Sequence, residues 1–185
     1  MAGPQWDLTF GTWDDAEAMV GAELGSFEGA DEVTRADIRR RLETLALDCP
    51  LHYDEQVAKN HGYRGVVSPT AMLMTWSMPP YWRPGEARPA EGGAAYLPDY
   101  PAVHVPAPGD SLFVVRSETE YGEPVYPGDR ISGVSRLQSM NRKRTAVGDG
   151  AFLVVETIYR NQDTAVVGTE RVTYFRYTAQ QPGQE

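Results

Sequence analysis

The stretch Ser68-Pro69-Thr70-Ala71-Met72-Leu73-Met74-Thr75-Trp76-Ser77-Met78-Pro79 decides the fold. Between its two prolines it is apolar almost all round, the pattern of a helix buried on every side. Pro69 stands where a first helical turn tolerates a missing N–H, and Pro79 stands where a helix has to stop. Behind this stretch the chain changes character. Residues 111–121, 130–140, 150–159 and 166–177 are rich in Val, Thr, Phe and Tyr and read as strands. They are separated by Gly122-Glu123-Pro124, by residues 141–148 and by Asn161-Gln162-Asp163. Turns this short favour antiparallel neighbours.

Ahead of the apolar helix, Thr34 with Asp37 resembles an N-cap followed by an acidic first turn. Ile38, Leu42 and Leu45 recur at helical spacing, and Pro50 ends that helix. A short helical turn over residues 54–59 is closed by Gly62. Helices first and then a long antiparallel meander predict an α+β domain. An antiparallel sheet wrapped around one central apolar helix is the arrangement known as the hot-dog fold. Eight of the 14 prolines fall between Pro79 and Pro108, which excludes a long helix or a central strand there. The organisation expected is a single domain over residues 1–185, with a Pro/Gly-rich insertion at 79–110 and a frayed tail at 178–185.

With 185 residues the chain matches one domain at about 150 residues per domain. Its 17 Lys and Arg against 26 Asp and Glu give a net charge of −9, which argues against nucleic acid and anionic membrane as partners. No apolar run approaches about 18 residues, and the first residues lack a basic-then-apolar leader. A cytoplasmic location is the expectation. Cys49 is the only cysteine, so neither a disulfide framework nor a multi-cysteine zinc site is available, and no metal or cofactor is expected.

The densest polar constellation is Asp48-Cys49-Pro50-Leu51-His52-Tyr53-Asp54. An imidazole among carboxylates is the usual pair for proton transfer near neutral pH. The plainer alternative is a surface histidine in a loop that Asp54 caps. Cys49 has no cation beside it except His52 and is not expected to act as a nucleophile.

Pro50-Leu51-His52, Asp54, Ala58, Gly62-Tyr63-Arg64-Gly65-Val66-Val67 and Ser68-Pro69-Thr70 together resemble the MaoC-like (R)-specific enoyl thioester hydratase/dehydratase family. Tyr126-Pro127-Gly128-Asp129-Arg130-Ile131 resembles that family's turn into an outer strand. Residues 144–152 and Asn161-Gln162-Asp163 resemble its N-terminal dehydratase-domain branch. The family motif runs Gly-Asp-x-Asn-Pro-x-His. His52 keeps the place of the catalytic histidine, but Ala46, Leu47 and Cys49 stand where the motif has Gly, Asp and Asn. Asp48 is one residue out of register.

The resemblance implies reversible addition of water across a 2-enoyl thioester of coenzyme A or an acyl carrier protein. His52 would activate water, with Asp48 as a surrogate carboxylate. The N–H groups of Thr70 and Ala71 would stabilise the thioester oxygen. Tyr53, Met72, Trp76, Tyr81 and Trp82 would contact substrate. The proline-rich stretch would cover one end of the acyl tunnel, with Tyr96 and Tyr100 among its contacts. Arg142-Lys143-Arg144 would meet the carrier phosphates, against the plainer reading of a solvated turn. Some enzymes of the family pair a complete subunit with one that shapes the tunnel, including subunits acting on steroid side-chain thioesters. A homodimer or a heterodimer with a related hot-dog chain is therefore expected, and a non-catalytic partner subunit is the alternative function. A thioesterase on the same fold would carry a carboxylate on the central helix, and residues 70–78 contain none.

Overall fold

The computed structural model describes residues 8–80, 82–85 and 100–179. The elements run α1 (Trp13–Ala18), β1 (Glu23–Glu28), α2 (Arg35–Leu45), α3 (Glu55–Asn60), α4 (Leu73–Ser77), β2 (Ser111–Tyr121), β3 (Ser132–Thr145), β4 (Gly148–Arg160) and β5 (Val166–Ala179). Short 3-10 turns at Pro50–His52, Thr70–Met72 and Pro101–His104 join them. The five strands form one antiparallel sheet in the order β1-β3-β4-β5-β2.

α+β architecture and an antiparallel sheet match the expectation, and several local readings change. α1 and β1 gave no clear sequence pattern. Both are six residues long, and β1 is exposed or half-buried along its whole length, so it carries no alternation to read. Residues 141–145, expected as a turn, continue β3, because Arg142, Lys143 and Arg144 pair with Ala151, Gly150 and Asp149. Charged side chains on a hairpin stay solvated without interrupting the ladder. The turn is reduced to Ala146 and Val147. β2 and β3 are successive but not neighbours, since β2 pairs with β5 and β3 with β1 and β4. Thr178 and Ala179, expected in a frayed tail, belong to β5.

The apolar helix is shorter than its sequence suggests. It opens as a 3-10 turn and becomes α-helical only from Leu73 to Ser77. Met72, Leu73, Trp76 and Ser77 are buried against the sheet, whereas Met74 is 58% and Met78 41% exposed. A β-carbon on Gly168 would lie 2.4 Å from Leu73 Cδ2, so α4 rests directly on the backbone of β5.

On β4 the odd-numbered residues face inward, and Ala151, Leu153, Val155, Thr157 and Tyr159 are all buried. The inward face carries two apolar clusters. One gathers Leu112, Leu137, Ala151, Leu153, Val155 and Tyr174 under α1 and residues 102–107. The other gathers Val33, Ile38, Leu42, Met72, Leu73, Trp76, Ile131, Tyr159 and Val167. A polar row separates them: Ser135, Thr157, Glu170 and Thr119 sit opposite one another on β3, β4, β5 and β2. Ser135 and Thr157 share a 2.8 Å hydroxyl bond, and Glu170 accepts from Ser117 at 3.0 Å and Tyr159 at 2.9 Å.

Part of the proline-rich stretch lies outside the described residues. Its described end packs on the first cluster, where Ala102, Val103, Val105 and Ala107 are buried. Tyr100 meets Tyr174 edge-on at 6.4 Å. Arg176, fully buried on β5, donates to the carbonyls of Thr9, Ala107 and Gly109 at 2.8–3.0 Å and so fastens this segment and residues 8–11 to the sheet. Gly109 has φ +100, and a β-carbon there would lie 2.6 Å from the Tyr177 backbone.

Candidate functional site

α2 is capped by Thr34, whose hydroxyl accepts from Asp37 N, and is closed by Ala46 in the left-handed region at φ 48, ψ 39. Leu47 N–H reaches back to the Leu42 carbonyl at 3.0 Å. That reversal sends the chain into the 3-10 turn holding His52. Asp54 then caps α3, its Oδ1 accepting from Gln56 N at 2.9 Å and Val57 N at 3.0 Å. After α3 the chain returns alongside itself, with Val67 N bonded to the Leu51 carbonyl at 3.1 Å and Ser68 N to the Val125 carbonyl at 2.8 Å. Arg64 braces this return. It donates to Asp129 at 2.8 Å and lies 4.0 Å over the Tyr126 ring. Asp129 is 1% exposed and also accepts from Tyr126 N and Gln162 Nε2.

His52 Nδ1 lies 2.9 Å from the Val67 carbonyl oxygen. A carbonyl only accepts, so Nδ1 carries the hydrogen and the neutral ring keeps its lone pair on Nε2. The ring borders a cavity of about 440 Å³. Its wall is completed by Leu47, Tyr63, Thr70, Ala71, Leu73, Trp76, Tyr121, Glu123 and Val167, among others. Thr70 and Ala71 open the 3-10 turn, so their N–H groups have no partner within it. Trp76 donates its indole N–H to Ser68 Oγ at 2.8 Å, and both residues are buried.

His52, Thr70, Ala71 and Trp76 therefore meet at one cavity, while the other expected site residues lie elsewhere. Asp48 does not line it. The Tyr53 phenol donates to Asp48 Oδ1 at 2.5 Å on the exposed side of the loop, and that bond raises the phenol's pKa. Leu47, in the register of the family's aspartate, faces the cavity instead. Met72 borders a second cavity of about 370 Å³ on the other flank of α4. Trp82 lines neither, and Tyr81 and Tyr96 are outside the described residues.

Arg142, Lys143 and Arg144 are remote from the cavity. The cavity lies by the row Gly133, Tyr159, Gly168 and Tyr121, and the basic run by the row Lys143, Gly150, Tyr177 and Ser111. Tyr159 and Gly150 are nine residues apart on β4, which is about 30 Å of strand. Arg142 lies 5.9 Å over Trp13, and Arg144 pairs with Asp149 at 3.4 Å.

Sequence reasoning passed over Glu123, the carboxylate among the cavity's described lining residues. It sits in what reads as a plain turn. Gly122 N and Glu123 N still bond to β5, at 3.0 Å to the Val167 carbonyl and 2.9 Å to that of Val166. The alternation of β2 carried past Tyr121 is the signal that would have placed it at the cavity. Among the described residues no cluster of His, Cys, Asp and Glu is disposed to hold a metal ion, and no helix is long and apolar enough to cross a membrane.

Residues 18–170 match the family model described as FAS1-like, dehydratase domain region. A probable enoyl-CoA hydratase alpha subunit of Thermomonospora curvata is 31% identical over 163 residues, 87% of this chain and 50% of that protein. The chain spans about half the length of the curated relatives it matches. Among solved structures, the ChsH1–ChsH2 complex of Mycobacterium tuberculosis superposes with a TM-score of 0.66 at 20% identity, covering 91% of this chain and 90% of that one. The MaoC-like dehydratase of Rhodospirillum rubrum gives a TM-score of 0.54 at 16% identity over 85% and 93% of the two chains. A sheet laid over a short apolar helix, a histidine turn at its flank and a sequence match across most of its length place this chain in the FAS1-like dehydratase-region family, with the hot-dog fold of the MaoC-like dehydratases.

Proposed function

We propose that this chain is a subunit of a hydratase or dehydratase that adds water to, or removes it from, a 2-enoyl thioester. The observation that carries this reading is His52, its Nδ1 committed to the Val67 carbonyl, at a cavity bordered by the unpartnered N–H groups of Thr70 and Ala71. In the hydration direction Nε2 takes a proton from water as the water oxygen bonds to C3. The thioester carbonyl gains the negative charge that the Thr70 and Ala71 N–H groups receive, and the imidazolium returns the proton to C2. Atoms and charge balance with His52 as the one base. Leu73, Trp76 and Val167 supply the apolar wall for the acyl group. A cavity of about 440 Å³ lies within the range of roughly 300–1,000 Å³ usual for small-molecule sites.

A second reading has a specific observation behind it. Leu47 occupies the cavity wall where the family's aspartate falls, and Asp48 is held outward by Tyr53. On that reading this chain shapes an acyl site whose complete acid/base pair belongs to a sibling. β2 supports pairing in either case. It is an edge strand with Phe113, Val114, Val115 and Tyr121 each 43–52% exposed, an apolar row beside unpaired backbone groups. Antiparallel pairing of two such edges would set Ser111 of one chain near Tyr121 of the other. Arg142, Lys143 and Arg144 would then approach a cavity only from a partner chain, where the carrier's phosphates would meet them.

Hydration of crotonyl-CoA and of a bulkier enoyl-CoA by the purified chain tests both readings. Turnover that disappears in His52→Ala supports the first. No turnover alone, restored by a sibling carrying the complete Asp-x-Asn-Pro-x-His motif and insensitive to His52→Ala, supports the second. Turnover by the chain alone that survives His52→Ala overturns the assignment of His52.

A further inference from the structure

Two cavities flank α4, and Trp76 borders both. The first holds His52, and the second lies between α2, α4 and the segment from Ala30 to Asp31. Around the helix Trp76 falls between Leu73, which faces the first cavity, and Met72, which faces the second. Its indole is 6% exposed and anchored at one end by the 2.8 Å bond to Ser68. The second cavity has an apolar side made by Met72, Trp76 and Met78 and a polar rim of Asp31, Asp37, Arg40, Arg41, Thr44 and Thr75.

We infer that Trp76 is the specificity-determining partition of the acyl site. Its indole ends the first cavity and sets the longest acyl chain that cavity accepts. The second cavity is the space a longer chain would enter once the indole is smaller. This rests on the acyl-thioester reading above and adds the residue that fixes which acyl groups fit. Three features support it. The two volumes are alike, 440 and 370 Å³, so removing the wall would nearly double the room. The shared wall is a side chain, which one substitution can shorten. The Ser68 bond gives the indole one held orientation, so the limit is sharp.

The test uses saturated acyl-CoA thioesters from butyryl- to palmitoyl-CoA, titrated calorimetrically into the intact chain. For the native protein, affinity should rise about fourfold for each added CH2 until the chain reaches the indole, and then level off. In Trp76→Leu the levelling point should move at least two carbons longer, raising affinity for that longer thioester about 16-fold. Trp76→Phe, a milder change to a packed residue, should shift it in the same direction by less. Adding Thr75→Trp from the second cavity's side should return the levelling point of Trp76→Leu to its native length. Folded Trp76→Leu or Trp76→Phe with an unmoved levelling point overturns the partition and leaves the thioester reading standing. If the native chain binds no thioester of any length, the thioester reading falls and takes this inference with it.

Discussion

The two ends of the sheet hold the same kinds of side chain and treat them in opposite ways. At the cavity end, polar groups are left with capacity to spare. His52 uses one ring nitrogen and keeps the other, and among the described residues the Thr70 and Ala71 N–H groups meet no acceptor. At the far end a buried polar side chain holds the fold together, and the basic run lies in solvent. Arg176 donates to three main-chain carbonyls, whereas Arg142 over Trp13 and Arg144 beside Asp149 stay exposed. The two ends teach that a charged or titratable residue is read from what it borders: His52 lines a cavity, and Arg176 lines neither of the two. The polar row from Ser135 to Thr119 marks the boundary between the two regimes.

The sharpest way to break that contrast is to remove one residue from each end. His52→Ala should lower hydration by about 10²–10⁴-fold, the usual size of a general acid/base contribution, while the lost bond to Val67 costs only about 1 kcal/mol of stability. Arg176→Ala should do the reverse. It leaves the carbonyls of Thr9, Ala107 and Gly109 without their donor, which should cost about 3 kcal/mol of stability while acyl-CoA affinity stays near native. Equilibrium urea denaturation and the calorimetric titration read the two effects separately. A large activity loss in folded Arg176→Ala, or a large stability loss in His52→Ala, would erase the distinction.

Legibility from sequence divides along the same line. The Thr34 cap, the Ile38 and Leu42 face of α2, the Asp54 cap and the strand-rich second half all follow from patterns within a few residues, and the structure keeps them. His52 stands out by the carboxylates around it, and Pro50-Leu51-His52 with Ser68-Pro69-Thr70 by their resemblance to the MaoC-like family. What escaped needs knowledge of how the chain turns and which elements it brings side by side. Arg142 and Arg144 look like a bare basic run until α1 sets Trp13 by Arg142 and the β3–β4 pairing sets Asp149 by Arg144. Tyr53 and Asp48 look like site residues until the turn directs them at each other. Residues 102–107 look like loop, yet alternation of small apolar residues with proline and histidine packs them under the sheet. Glu123 reads as a turn residue because the ladder from β5 continues past the apparent end of β2.

A third prediction concerns the boundary between the two ends. Burial, and then the charge and hydrogen bond of Glu170, push the Tyr159 phenol well above its ordinary pKa, and burial does the same at Tyr174. The folded protein thus favours the protonated phenol, whereas the unfolded chain ionises near pH 10. That stabilisation is intact below about pH 10 and is lost as the pH rises further, at about 1.4 kcal/mol per pH unit for each such group. Tyr159→Phe should flatten the alkaline limb of the stability profile by about one proton and leave neutral pH little affected. Urea midpoints measured from pH 8 to 11.5 would show it, and an unchanged alkaline slope would mean that the phenol is not held in its protonated form.

The smallest expected effect lies beside the cavity, at Ala46. Its φ of 48 and ψ of 39 are left-handed, a conformation that disfavours any residue with a β-carbon, yet the turn needs it so that Leu47 N–H reaches the Leu42 carbonyl. Glycine occupies this position in the family motif that the loop resembles, and the backbone supplies the reason. Ala46→Gly should therefore raise stability by about 1 kcal/mol, because the relief of left-handed strain outweighs the added freedom of the unfolded chain. The same change leaves every side chain of the cavity wall in place, so acyl-CoA affinity should not move. A gain in the urea midpoint with unaltered binding keeps strain and function separate at this end. If binding weakens as stability rises, the strained turn is itself part of how Leu47 and His52 are held against the substrate.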